Sequence, residues 1–183
     1  MDSFEDIVAA ILERRGYWVR RCFKVELTKA EKKEIRRPSS PRWEIDLVAY
    51  YARSNEVLAV ECKSYFDSVG VSANSFEEQD LGSKSNLKLF VEPYLREVVL
   101  QRLGMQMLEL GLCASQPKIR LALATGHISR EPDRERIKAL FAKEHWELFD
   151  EKWLRSELQS MANSGYEDMV PSVVAKLLLR GPV

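Results

Sequence analysis

Two acids and a lysine stand at the ends of what read as two buried strands. Asp46 closes Glu44-Ile45-Asp46, and Glu61 and Lys63 end the run Val57-Leu58-Ala59-Val60-Glu61-Cys62-Lys63. A carboxylate buried without a partner costs several kcal/mol, so a sequence rarely places one there idly. Two carboxylates beside one ammonium can hold a divalent cation and a water, the equipment for hydrolysing a phosphodiester. Glu61 and Lys63 are two residues apart, so the pleat of a strand turns them to one face, while Val60 and Cys62 turn to the other, toward a core. A hairpin turn centred on Ser54-Asn55 sets Asp46 opposite Lys63, with Glu61 on the diagonal. A slip of one residue sets Asp46 opposite Cys62 and breaks the convergence.

A fourth acid comes from the first helix. Phe4, Ile7, Val8, Ile11 and Leu12 recur at helical spacing over Ser3 to Arg15, with Ser3 as the expected cap, Asp6 three positions on, and Gly16 as the stop. At 3.6 residues per turn, Glu5 lies at the edge of the apolar stripe, in line with Leu12. Asp6 and Glu13 fall on the solvent side. Only Glu5 among the helix acids leans toward the sheet.

The remaining elements must position these groups. Tyr17 to Leu27, rich in aromatic and β-branched residues, predicts a first strand. Thr28 to Arg37 predicts a short exposed helix, with Thr28 and Glu31 as a capping box, and 38–41 a loop. Ile45 to Tyr51 and Val57 to Lys63 are the hairpin strands, and Asp67 to Asn86 reads as a long surface loop. Leu87 to Leu110 is helical, with Pro93 marking the start of the main helix and Gly111 its end. Ile119 to Thr125 is a strand, Glu131 to Lys143 a helix and Trp146 to Phe149 a short strand. Asp150 caps a helix running to Ala162, and Pro171 to Arg180 forms the last helix. Helices alternating with strands in the second half predict an α/β sandwich with a mixed sheet.

Glu5 followed by Gly16, then Ile45-Asp46, then Glu61-Cys62-Lys63 resembles the PD-(D/E)XK nuclease superfamily, the restriction-endonuclease-like fold that includes Holliday-junction resolvases and type IV restriction enzymes. The resemblance covers about two thirds of the chain, Ser3 to Thr125, in the order α-β-β-β-α-β. It implies a three-layer α/β/α sandwich, a core over 1–150 with a basic insertion at about 28–42, and a C-terminal helical extension over 151–183. It implies further that Glu5, Asp46, Glu61 and Lys63 are catalytic. Asp46, Glu61 and the backbone carbonyl of Cys62 would bind Mg²⁺, or Mn²⁺ in its place, and Lys63 would orient or activate the attacking water. Isoleucine rather than proline precedes Asp46. Some members of the superfamily place a glutamine, followed by a tyrosine, on the helix after the third strand. Gln101 and Gln106 stand there without the tyrosine and read as ordinary surface residues.

Composition limits the partners. The 183 residues carry 28 Lys and Arg against 28 Asp and Glu, so net charge does not advertise nucleic acid and local patches must meet it. Lys32, Lys33, Arg36, Arg37 and Arg42 form one such patch, read either as a phosphate grip beside the hairpin or as a solvated, salt-bridge-laced helix. Trp43 could stack on a base, though a tryptophan entering a strand more often joins the core. Ser64 and Tyr65, directly after Lys63, could touch a phosphate or cap the strand, and His127 could reach the cleft. Three cysteines without metal-type spacing fit a reduced, cytoplasmic protein, two distant histidines argue against zinc, and no apolar run spans a membrane. The expected activity is nuclease action on DNA more than RNA. The rival is a catalytically silent nuclease-like domain that binds nucleic acid or a protein. The apolar C-terminal end, Val173 to Leu179, could pack on the core or form a homodimer contact.

Overall fold

The computed structural model describes residues 2–39, 42–76 and 87–181. Helix α1 (Ser3–Arg14) buries Phe4, Val8, Ile11 and Leu12 along one side. Its cap is Asp2, not the expected Ser3: the Asp2 carboxylate accepts the N–H groups of Phe4 and Glu5 at 2.8 and 3.0 Å. A carboxylate there meets both the free amides and the positive end of the helix dipole. Gly16 ends the helix at φ 90°, a conformation that suits glycine.

Strand β1 (Trp18–Val25) leads to α2 (Lys29–Glu34), β2 (Trp43–Tyr51) and β3 (Glu56–Lys63). The box expected before α2 is present, with the Glu31 N–H donating to Thr28 and the Thr28 N–H to Glu31. Then come a 3₁₀ turn (Ala73–Phe76), α3 (Lys88–Val91), α4 (Pro93–Glu109), β4 (Lys118–Thr125), α5 (Glu131–Glu144), β5 (Glu147–Phe149), α6 (Glu151–Ala162) and α7 (Val170–Leu179). The surface loop expected over Asp67 to Asn86 contains that turn, and its Phe76 is buried. The stretch 77–86 lies outside the described residues, as do Ser40 and Pro41 of the 38–41 loop.

The sheet runs β1-β2-β3-β4-β5. The first three strands form an antiparallel meander, and β4 and β5 add in parallel, each after a helix on the chain path. Among the described residues the fold is thus α/β, with a five-stranded mixed sheet and seven helices. Helices pack on both faces. On one, Leu95, Val99, Leu103 and Met107 of α4 and Ile137 and Phe141 of α5 meet Val57, Ala59, Leu121 and Leu123. On the other, α1 joins Leu154 and Met161 of α6 and Ala175 of α7 over Leu47, Leu58, Val60, Cys62 and Ala124. No helix among the described residues is long and apolar enough to cross a membrane.

Candidate active site

β2 pairs with β3 from Tyr51–Glu56 to Leu47–Val60. That spacing centres the turn on Arg53-Ser54, one residue before the expected Ser54-Asn55. Asn55 accounts for the difference. It takes a left-handed conformation at φ 51°, accepts the Tyr50 hydroxyl at 3.0 Å, and donates to the Ser115 hydroxyl at 2.9 Å. It therefore belongs to the end of the turn rather than its centre. Continued at the same spacing, Asp46 falls across from Glu61, not from Lys63. The shift is two residues, so it changes the partner and keeps the parity.

Asp46 is nevertheless not a rung of that ladder. The pairing stops at Leu47–Val60, and beyond it the Cys62 N–H donates to Asp46 Oδ2 at 2.7 Å. The carboxylate replaces the missing backbone acceptor. The alternation of β2 also slips here. Leu47 and Ala49 face the α1 side, yet Ile45, which strict alternation would send the same way, lies in the opposite core. β1 slips beside it: Val19 faces α1, while Phe23 faces away. Cys22, at φ 51°, sits at this slip, and the Cys22–Asp46 position is missing between the pairs Arg21–Leu47 and Phe23–Ile45. A non-glycine residue held in that region costs roughly 1–3 kcal/mol and persists only where its surroundings impose it.

Lys63 Nζ lies 2.6 Å from Glu61 Oε1, and the two side chains are 18 and 20 % exposed. Burial pushes the Glu61 carboxyl above its usual range; the Lys63 ammonium opposes this, and the charges of Asp46 and Glu5 add to it. Burial lowers the Lys63 pKa, but Glu61, by charge and hydrogen bond, and Asp46 outweigh it and hold the pKa above the ordinary value. Glu5 is half-buried, and its Oε2 is enclosed without a hydrogen-bond partner. Burial, then the charges of Asp46 and Asp2, raise its pKa. The Cys62 thiol is pushed far up by burial and by the same three acids, so it stays neutral. Glu5, Asp46, Glu61 and Lys63 thus come together at one end of the sheet.

Among the described residues, no group of three or more carboxylate, thiol or imidazole side chains is set to hold an ion as it stands. Glu61 is turned onto Lys63, and Asp46 onto the Cys62 amide. The donor types still fit a hard cation, since they are carboxylate oxygens and one of them, Glu5 Oε2, is an orphaned acceptor.

The basic patch is partly committed. Arg37 donates to both Glu92 oxygens, at 2.8 and 2.9 Å, and its guanidinium lies 5.8 Å from the Trp43 ring centre. Arg42 pairs with Glu26 at 2.9 Å. Lys33 and Arg36 are exposed and Lys32 is half-buried. Trp43 packs against the core, as does Tyr65. Gln106 is no idle surface residue: it accepts the Glu26 N–H at 2.9 Å and donates to the Lys24 carbonyl at 3.0 Å, bracing α4 to the end of β1. Gln101 is exposed. The His127 carbonyl accepts the Val71 N–H and the Thr125 hydroxyl, each at 3.0 Å, a structural use of that loop. Asp6 and Glu13, expected to face solvent, both bond Arg21 of β1, at 3.1 and 3.0 Å.

The sequence reading missed two residues near the site. Asp2 brings a further negative charge to Glu5, and its signal was its type, a carboxylate before the helix. Gly126 lets the chain after β4 lie against the chain after Lys63, since a Cβ there would come 2.2 Å from the Ser64 carbonyl oxygen. Comparison with protein-family models, curated proteins and solved structures gave no match.

Proposed function

We propose that this chain is a divalent-metal-dependent nuclease hydrolysing phosphodiester bonds, in DNA rather than RNA, of the PD-(D/E)XK type and with the restriction-endonuclease-like, three-layer arrangement. The observation that carries the reading is the gathering of Glu5, Asp46, Glu61 and Lys63 where β2 and β3 part, with a Glu5 oxygen left unsatisfied. The order α1, β1, β2, β3, α4, β4 supports it, with α2 as the basic insertion. Asp46, Glu61 and the Cys62 carbonyl would hold Mg²⁺ or Mn²⁺, which lowers the pKa of a bound water and neutralises charge on the phosphate. Lys63, kept charged by Glu61, orients the attacking water and steadies the phosphate as negative charge grows on it. Glu5 completes the acidic side of the site. Lys32, Lys33 and Arg36 contact the nucleic-acid backbone, with Arg37 and Arg42 available only by leaving their acids. Three free cysteines suit a cytoplasmic setting.

The test is cleavage of supercoiled plasmid with Mg²⁺ or Mn²⁺ by the wild type, Asp46→Ala and Lys63→Ala, with a single-stranded RNA in parallel. The variants should lose about 10²-fold or more in rate. Equal rates in all three remove the site.

One observation favours a second reading, a silent nuclease-like domain that binds nucleic acid or a protein: the Lys63–Glu61 pair is closed. Calorimetry with Mn²⁺ separates the two. No heat of binding and no cleavage leave the silent domain standing.

A further inference from the structure

One exposed ring lies against both sides of the acidic site. Phe66 follows Lys63 by three residues and is 64 % exposed. It meets Phe4, the residue before Glu5 on α1, with ring centres 5.7 Å apart and planes at 83°. It also lies over Gly126. A Cβ there would come 2.6 and 2.8 Å from the ring's Cε1 and Cζ, so the absence of a side chain makes room for it. The Gly126 N–H in turn donates to the Lys63 carbonyl at 3.0 Å. The ring thus touches α1 one residue from Glu5, and the chain after β4 where that chain bonds Lys63.

An exposed phenylalanine by itself is ordinary. This one is held in place. Tyr65, at φ 49°, bends the chain just before it, and the Tyr65 carbonyl accepts the N–H and the hydroxyl of Ser68, each at 3.3 Å. Beyond the bend, the Val71 N–H donates to the His127 carbonyl and the Ser129 N–H to the Val71 carbonyl, each at 3.0 Å. The loop over 64–70 is therefore tied at both ends to the chain after β4. It contains no lysine or arginine, so it has no cation with which to grip a phosphate. What it presents is a ring. A perpendicular contact with Phe4 covers at most one face of that ring, and the exposure leaves the other open.

We infer that Phe66 is the platform on which the base of an unpaired nucleotide stacks at the acidic site, so that the substrate is single-stranded DNA. The inference rests on the nuclease reading for its nucleic acid and adds that the strand is unpaired. Every base has a flat face that can lie on an aromatic ring, whatever the sequence. In a paired duplex those faces are covered by the neighbouring pairs, and a ring reaches them only by forcing a step apart. A single strand offers them freely. The fixed position of the ring means that little freedom is lost when a base settles on it.

Fluorescence anisotropy tests it, with a labelled single-stranded DNA of about 20 nucleotides and its blunt duplex, in EDTA at about 100 mM salt. The wild type should bind the single strand more tightly than the duplex. Phe66→Leu keeps an apolar contact for Phe4 but has no flat face. It should weaken single-strand binding about 10-fold or more, within the range of one stacked base, and leave the duplex affinity unchanged. Phe66→Tyr, which restores the ring, should bind as the wild type does, a recovery that a merely structural role for Phe66 would not require. A wild type without preference for the single strand overturns the inference. So does Phe66→Leu binding it undiminished, or losing both DNAs equally. Cleavage of the same DNAs with Mn²⁺ separates the two readings. Equal cleavage of both by wild type and Phe66→Leu would keep the nuclease and remove the platform. Ring-dependent binding without cleavage would keep the platform and remove the nuclease.

Discussion

Replacing Lys63 with methionine keeps the aliphatic stem and removes the charge. In the wild type, Nζ lies 2.6 Å from Glu61 Oε1, and about four fifths of each side chain is buried. At an effective dielectric near 20 the gross attraction is about 6 kcal/mol, most of it offset by taking both charges from water. Deleting one partner of a buried pair costs about 3–5 kcal/mol, and the residual exposure here puts the expectation near 3. For a chain of this length that lowers Tm by about 6–12 °C. The cost should depend on pH. Burial, Asp46 and Glu5 already raise the Glu61 pKa from its ordinary 4.5, and losing Lys63 removes the influences that oppose them. A carboxyl whose folded pKa exceeds its unfolded value destabilises only where it is ionised. The cost should thus be absent below about pH 4.5, grow as pH rises through the folded value, and be complete above it. Urea melts of wild type, Lys63→Met, Glu61→Gln and the double variant, at about pH 4 and pH 8, measure it. The double variant should recover most of the loss at the higher pH. An equal cost at both pH values, or single costs that simply add, would refute the coupling.

Asp46→Asn keeps an oxygen to accept the Cys62 N–H, so the melting temperature should hold within the equivalent of about 1 kcal/mol while plasmid cleavage is lost. If stability falls with activity, Asp46 is structural first. Gly126→Ala brings a Cβ against the Ser64 carbonyl, so about 1–3 kcal/mol of stability should go, and hydrogen exchange should quicken in the residues after Lys63. Protection unchanged there would show that the two segments part freely. Arg134→Met strips the cation from buried Asp150, held at 2.6 Å, and from Glu151, while Glu131 keeps Lys152, so denaturant melts should lose about 3–5 kcal/mol. A loss under about 1 kcal/mol would mean that water takes the place of the guanidinium.

Elements whose signals are local were legible in the sequence. The Thr28–Glu31 box, the arrest at Gly16, the start of α4 at Pro93 and the Asp150 cap of α6 each depend on residues within one helical turn. The pair Glu61 and Lys63 was legible for the same reason, since strand parity needs only two positions. What depended on distant partners was not. The register of the hairpin is set by Asn55 reaching Ser115, sixty residues on. Arg37 reads as a free cation until Glu92 is brought to it, and Gln106 as idle until the end of β1 lies beside it. The parity slip at Cys22 and Asp46 left no trace in the hydrophobic pattern, because Ile45 and Leu47 are both buried, on opposite faces.

That slip bears on why the acids are tolerated. A cluster kept only for stability should settle its charges, because each unpaired one works against folding. Here Asp46 is settled by an amide and Glu61 by an ammonium, which leaves Glu5 Oε2 enclosed without a hydrogen-bond partner. Asp46 and Asp2 both raise the cost of its charge. The strained backbone at Cys22 adds a second cost at the same end of the sheet. Both costs fall where Glu5, Asp46 and Glu61 gather. A divalent cation, as proposed, would relieve all three carboxylates together, and the excess of three acids over one lysine where they gather supports that proposal.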